Sequence, residues 1–262
     1  MFNHPITLYV VAFSLIFTGP SLTFGKGINI SPIRQPARES AIYELSWMDM
    51  PLGRASVVWQ ESASSYQMSF QLRTTGIANL FGEQNLSAMV MGNRRMEGGK
   101  VAYTPSYYLA RKQSDTLNET RIRYDEQGNV RQLSIMPPDD PTYRPRVSRG
   151  GMHSAYDPLT ALLALLTGQR QFPLFDGKRL LQAHVESAPL TDQETRAGFS
   201  GLSVRRSPME GHTEKELKRM KNDRPVLVIM QGGESRFPER LEADTRIGTL
   251  RATRQRTVNV NP

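Results

Sequence analysis

Three observations predict a mainly β protein, a curved antiparallel sheet or partial barrel with one helix packed on its concave face. Apolar and polar residues alternate with period two, most cleanly over residues 66–73, where Tyr66, Met68, Phe70 and Leu72 share one face and Gln67, Ser69, Gln71 and Arg73 the other. Short runs of this kind are separated by Gly-, Pro- and Asp-containing turn signals. Only residues 159–166 carry a clear helical signal, and their leucines cover nearly every side of the helix, so the helix must be covered, as it is if the sheet curls around it.

Taken in order, residues 41–48 place Ala41, Tyr43, Leu45 and Trp47 on one face, and residues 54–60 do the same with Ala55, Val57 and Trp59. The intervening Asp49-Met50-Pro51-Leu52-Gly53 is predicted to be the hairpin turn. Residues 76–81 read as a short turn or helical link. Strands are expected at 84–96 and 100–112 around Gly98-Gly99, and at 116–125 and 129–136 around Asp125-Glu126-Gln127-Gly128. Residues 136–151 hold four prolines and a Gly-Gly pair, too much punctuation for anything but a long loop. Asp157 then stands as a helix cap, Pro158 at the first helical position and Gly168 at the end. Further strands are expected at 178–187, around 191–197, and at 201–207, 225–230, 237–246 and 249–256. The apolar run Val226-Leu227-Val228-Ile229-Met230 predicts a central, covered strand. The charged segment 210–224 reads as a solvated loop or short surface helix, and no repeat of 20–50 residues is visible.

The segment from Ile6 to Phe17 carries no charge and has the length of a signal-peptide apolar region, too short to span a bilayer. Gly19 and Pro20 follow, and Thr23-Phe24-Gly25 offers small residues for cleavage after Gly25. Residues 1–25 are therefore expected to be a signal peptide, 26–40 an extended lead-in, 41–256 a single β-rich domain and 257–262 a tail. The first five residues lack Lys and Arg, which leaves an uncleaved N-terminal anchor as the alternative. With no cysteine there is neither a lipidation site nor a disulfide, and a periplasmic location in a Gram-negative envelope is expected. The formal charge of +8 falls entirely after residue 25. Outside the cytoplasm, lipopolysaccharide and anionic headgroups are the polyanions within reach, so no nucleic-acid partner is expected.

Catalytic signals are missing. His153, His184 and His212 are the histidines after residue 25, and none has a recognisable setting. Gly198-Phe199-Ser200-Gly201 lacks the G-x-S-x-G spacing that lifts a serine onto a strained turn, and reads as a turn. His153 and Asp157 stand four apart, but capping accounts for Asp157. Asp139-Asp140 has no further ligands at suitable spacing, and no zinc or calcium pattern appears, so no metal, cofactor or catalytic residue is expected. What remains is a physical pattern. The apolar helix residues Leu159, Leu162, Leu163 and Leu166 follow a cationic loop bearing Arg144, Arg146 and Arg149, an arrangement suited to an acyl chain inside and an anionic headgroup at the rim. The plainer reading of the same residues is a filled core.

Several short motifs resemble the bacterial family catalogued as domain of unknown function 3108. They are Tyr43-Glu44-Leu45-Ser46-Trp47 with Pro51-Leu52-Gly53-Arg54-Ala55, Tyr103-Thr104-Pro105-Ser106-Tyr107-Tyr108, Asp157-Pro158-Leu159-Thr160-Ala161-Leu162, and Arg236-Phe237-Pro238-Glu239-Arg240-Leu241. The resemblance spans residues 40–255. It implies an envelope protein with a curved antiparallel sheet and a helix against its concave side, similar in shape to lipoprotein carriers of the LolA/LolB type, with no catalytic residues to carry over. The expected function is thus non-enzymatic binding of a lipid or acylated partner. The alternatives are an interaction scaffold that contacts an envelope protein or polyanion through its basic loops and, last, an envelope hydrolase.

Overall fold

The computed structural model describes residues 37–75, 85–113, 117–138, 142–232, 235–245 and 248–255. The expected signal segment, the link at 76–81 and the tail lie outside the described residues, as do Asp139 and Asp140. Thirteen strands form one antiparallel sheet: β1 (Ala37–Trp47), β2 (Met50–Glu61), β3 (Ser65–Thr74), β4 (Asn85–Glu97), β5 (Lys100–Gln113), β6 (Leu117–Tyr124), β7 (Val130–Met136), β8 (Gln171–Phe175), β9 (Leu180–Ser187), β10 (Phe199–Glu210), β11 (Val226–Gln231), β12 (Arg240–Thr245) and β13 (Gly248–Gln255). Among the described residues three helices accompany them: α1 (Pro158–Leu166), α2 (Asp192–Arg196) and α3 (Glu214–Met220). The spatial order is β7-β6-β5-β4-β3-β2-β1-β13-β12-β11-β10-β9-β8. Two meanders are thus joined by the pairing of β1 with β13, and β7 and β8 form the two edges.

The edges do not pair, yet the sheet is strongly curved, because α1 packs on β8 at one edge and on β4 and β5 in the opposite wing. The loops agree: a Cβ on Gly177 would stand 2.4 Å from Thr120 of β6, and Ser154 N–H donates to Asn129 Oδ1 at 3.2 Å. The result is an open barrel whose seam is covered by residues 142–157 and α1. Its inner side is one contiguous apolar core, built from the alternating residues of every wing, Met68 and Phe70 of β3 among them.

Local chemistry explains most element boundaries. Gly98 and Gly99, both at positive φ, turn β4 into β5, and Asp125 Oδ1 accepts from the Gln127 and Asn129 N–H groups before Gly128 at φ 82°. The first hairpin differs from expectation. Its turn is Met48-Asp49, at φ 48° and 64°, and Pro51 and Gly53 lie inside β2. Both positive φ values match the right-handed twist of a two-residue hairpin, and Pro51 is accommodated by the register shift at Leu45/Ser46.

Other corrections follow from chemistry rather than periodicity. The strand expected around 191–197 is the helix α2, closed by a capping box in which the Thr191 side chain accepts from Glu194 N–H and Glu194 accepts from Thr191 N–H. The same device on Thr213 and Glu216 makes α3 a surface helix. β8 was not anticipated, because Pro173 interrupts a five-residue run; it survives as an edge strand. Residues 37–40 of the expected lead-in belong to β1, and Phe237 precedes β12, buried against Trp59 instead of lying within a strand. β11 is an interior strand as expected, with Val226 and Val228 facing the core and Ile229 buried on the opposite side.

Candidate functional site

The helix α1 is held at its start by Asp157, whose Oδ1 accepts from the Leu159 and Thr160 N–H groups at 2.9 and 3.0 Å, while Oδ2 accepts from Thr160 Oγ1 at 2.6 Å. The network reaches the far wall through Tyr66, whose hydroxyl lies 2.8 Å from Thr160 Oγ1. Burial pushes the Asp157 carboxyl up to about 6 against the opposing pull of these hydrogen bonds. The folded chain therefore retains a proton that the unfolded chain releases, and this contribution to stability is full below about pH 4 and is lost as pH rises through about 6. Its size is up to about 3 kcal/mol. His212, buried with Nε2 at 3.0 Å from Leu180 O, is pushed below its ordinary value by desolvation and works in the opposite sense. Because His212 titrates in both proteins, the stability of Asp157→Asn relative to the parent isolates the carboxyl. That difference should shift in favour of Asn by about 1.4 kcal/mol, roughly half of the full linkage term, between pH 5 and 7.5 in denaturant titrations. A flat difference would remove the buried acid from the account.

Past its cap, α1 leaves a gap on one side. Leu159 and Leu163 are fully buried, and the helix packs on β4, β5 and β8. Ala161, Leu162 and Leu165 look instead across a narrow slot toward Val204 of β10, Val226 and Val228 of β11, Leu241 and Ala243 of β12 and Leu250 of β13. The slot is a cavity of about 50 Å³. It is therefore thin and almost wholly apolar, with Glu242 the one ionisable residue on its lining. A polar guest would lose its hydrogen bonds to water without replacement, so the slot suits hydrocarbon only.

One end of the inner side is capped by ions. Arg144 donates to both carboxylate oxygens of Glu216 at 2.8 and 2.9 Å and to Gly211 O, and Arg179 holds Asp176 through Nε and Nη2. These contacts keep the Glu216 carboxyl down at about 2 and anchor α3 to the loop and to β9. Arg206 pairs with Asp223 at 3.1 Å.

Of the residues singled out from sequence, Leu162 lines the slot, Leu159 and Leu163 are core, and Leu166 is half-buried against it. Arg144 is committed to Glu216, whereas Arg146 and Arg149 are exposed. The loop itself is clamped by Ser148, whose N–H and hydroxyl donate to Glu210. Reasoning from sequence missed the β10–β13 lining, visible there only as strand alternation. The histidines lie on three separate segments, and Ser200 is exposed on β10 opposite Met230. Among the described residues no group of three or more His, Asp or Glu is placed to hold a metal ion.

Three of the four short motifs meet in one cluster. Tyr43 donates to Pro238 O at 2.8 Å, Phe237 packs edge-on to Trp59, and the Arg236 guanidinium lies 4.9 Å over the Trp59 ring. Glu61 gathers Arg94, Arg236 and the Tyr103 hydroxyl. Their positions make them fasteners of β1, β2 and β5 to the segment before β12.

Sheet, capped helix and slot define a barrel-like protein, open at its seam and filled by one buried helix. The chain belongs to the family described as "Protein of unknown function (DUF3108)", whose model matches residues 42–255. A solved structure from Brucella abortus, titled a beta-barrel-like protein of domain of unknown function DUF1849, is similar over 85% of this chain and 96% of that one, at 11% identity and a TM-score of 0.41. No curated protein matches the chain. Among the described residues no helix is long and apolar enough to cross a membrane.

Proposed function

We propose that the chain is exported to the periplasm and acts there without catalysing a reaction, holding a single acyl chain in the slot between α1 and β10–β13. The observation that carries this reading is the slot itself: six strand residues of an apolar wall that the buried helix does not fill. Its thinness favours an acyl chain over a ring, and its lining favours hydrocarbon over anything that needs hydrogen bonds. Export is supported by the uncharged run from Ile6 to Phe17, and the non-enzymatic part by the lack of a recognisable catalytic motif in the sequence.

Native mass spectrometry of residues 26–262, before and after mixing with envelope lipids, tests the reading. A lipid retained at one per chain is expected, and Ala243→Leu, which narrows the slot, should weaken retention severalfold, in keeping with ~1 kcal/mol for extra methylenes in a packed space. A chain that stays bare with added lipid would sink it. A second reading, a scaffold for an envelope protein, rests on β7, which has a sheet partner on one side only and exposes Leu133 and Met136. Stoichiometric co-purification of a protein, lost on Leu133→Lys, would favour it.

A further inference from the structure

We propose that Arg206 receives the headgroup of the slot's ligand, which makes that ligand an anionic single-chain amphiphile; the inference rests on the acyl-chain reading of the slot. Along β10 the inward residues alternate, and Val204, which lines the slot, is followed two positions later by Arg206 on the same face. In the sheet register Arg206 stands opposite Ala183, and Ala183 stands opposite Phe172. Both of those neighbours line the slot, so one cross-strand row carries two of its walls and a guanidinium. The Arg206 side chain is only 9% exposed, and burial works against its charge.

A cation on the inner face of an apolar wall needs an anion, and the chain supplies Asp223 from just beyond α3, with Nη2 to Oδ2 at 3.1 Å. The surrounding ions are differently disposed. Arg179 is held by Asp176 and Glu216, and Arg144 by Glu216, each acid being at most 21% exposed. Asp223 is 35% exposed, the most accessible acid of the group. A carboxylate or phosphate arriving at the head of a buried acyl chain can therefore take its place on Arg206, while Asp223 turns to water at little desolvation cost. Arg presents a fork of N–H donors suited to two oxygens of such a headgroup. The exchange keeps Arg206 paired throughout, and burial of the chain in the slot provides the net gain.

The test is a titration of the purified mature chain with three probes of equal chain length: palmitate, a palmitoyl lysophosphatidate and hexadecanol. The two anionic probes should bind at least about tenfold tighter than the alcohol, the worth of a charge-assisted hydrogen bond. Arg206→Gln should erase that preference and leave hexadecanol binding in place. Asp223→Asn, which removes the competing carboxylate and spares Arg206, should tighten the anionic probes severalfold and leave the alcohol unchanged. Which anion gains more identifies a carboxylate or a phosphate as the headgroup. Equal binding of all three probes, or a preference that survives Arg206→Gln, would overturn the role of Arg206 while the slot stands. Failure of every probe to bind would overturn the slot reading with it.

Discussion

Leu163→Ala is expected to lower the unfolding free energy by about 3–5 kcal/mol, a large share of the ~5–15 kcal/mol that folded domains commonly have. Leu163 is fully buried on the side of α1 that packs into the barrel, where close-packed strands on several sides cannot collapse into the space a leucine leaves. Leu162, one position earlier, looks into the slot and already lacks neighbours on one side. Leu162→Ala should therefore cost about 2 kcal/mol, at the lower end of the range for such truncations. Urea denaturation of the two variants beside the parent measures the contrast. Equal losses would mean that the slot side of the helix is as tightly packed as the core side, and the slot would disappear with that result.

Gly92→Ala is expected to be nearly as damaging, at about 3 kcal/mol or more, for the opposite reason. A Cβ at Gly92 would stand 2.2 Å from Thr104 O, 2.9 Å from Pro105 Cα and 2.6 Å from Tyr66 Cε1. Two of these three atoms are backbone, fixed by the pairing of β4 with β5 beside a bulge at Met91/Gly92, so they cannot swing aside. Tyr66 can yield only by moving a ring whose hydroxyl meets Thr160, the residue that also donates to Asp157. The helix cap would thus feel a substitution made on a strand. Gly150→Ala, where an added Cβ meets nothing within 4 Å, should stay within about 0.5 kcal/mol and serves as the comparison. A melting temperature for Gly92→Ala equal to that of Gly150→Ala would show that the bulge has room.

The candidate site was legible in part. Leucines on every side of α1 forecast a helix that must be covered, and Leu162 does line the slot. The cationic loop misled, because charge in sequence says nothing about which acid will meet it. Arg144 finds Glu216 across 72 residues of chain. Arg206 stood among charged and polar neighbours with nothing to mark it, and only the β9–β10 register turns it inward. A closer signal existed for the small helices: Thr191 with Glu194, and Thr213 with Glu216, are capping boxes visible in the sequence.

By itself, then, the sequence determined what depends on neighbours within a few residues. The two-residue period of β3, the glycine turns at 98–99 and 128, and the Asp157-Pro158 start of α1 are set by side-chain alternation, backbone freedom and capping. Only the tertiary structure decided that β1 pairs with β13, that α1 meets both β5 and β8, and that a thin gap remains between the helix and β10–β13. Those outcomes depend on how far thirteen strands curl and on residues brought together across one to two hundred positions. Curvature and long-range register are sums over the whole sheet, and no local window of the chain contains them.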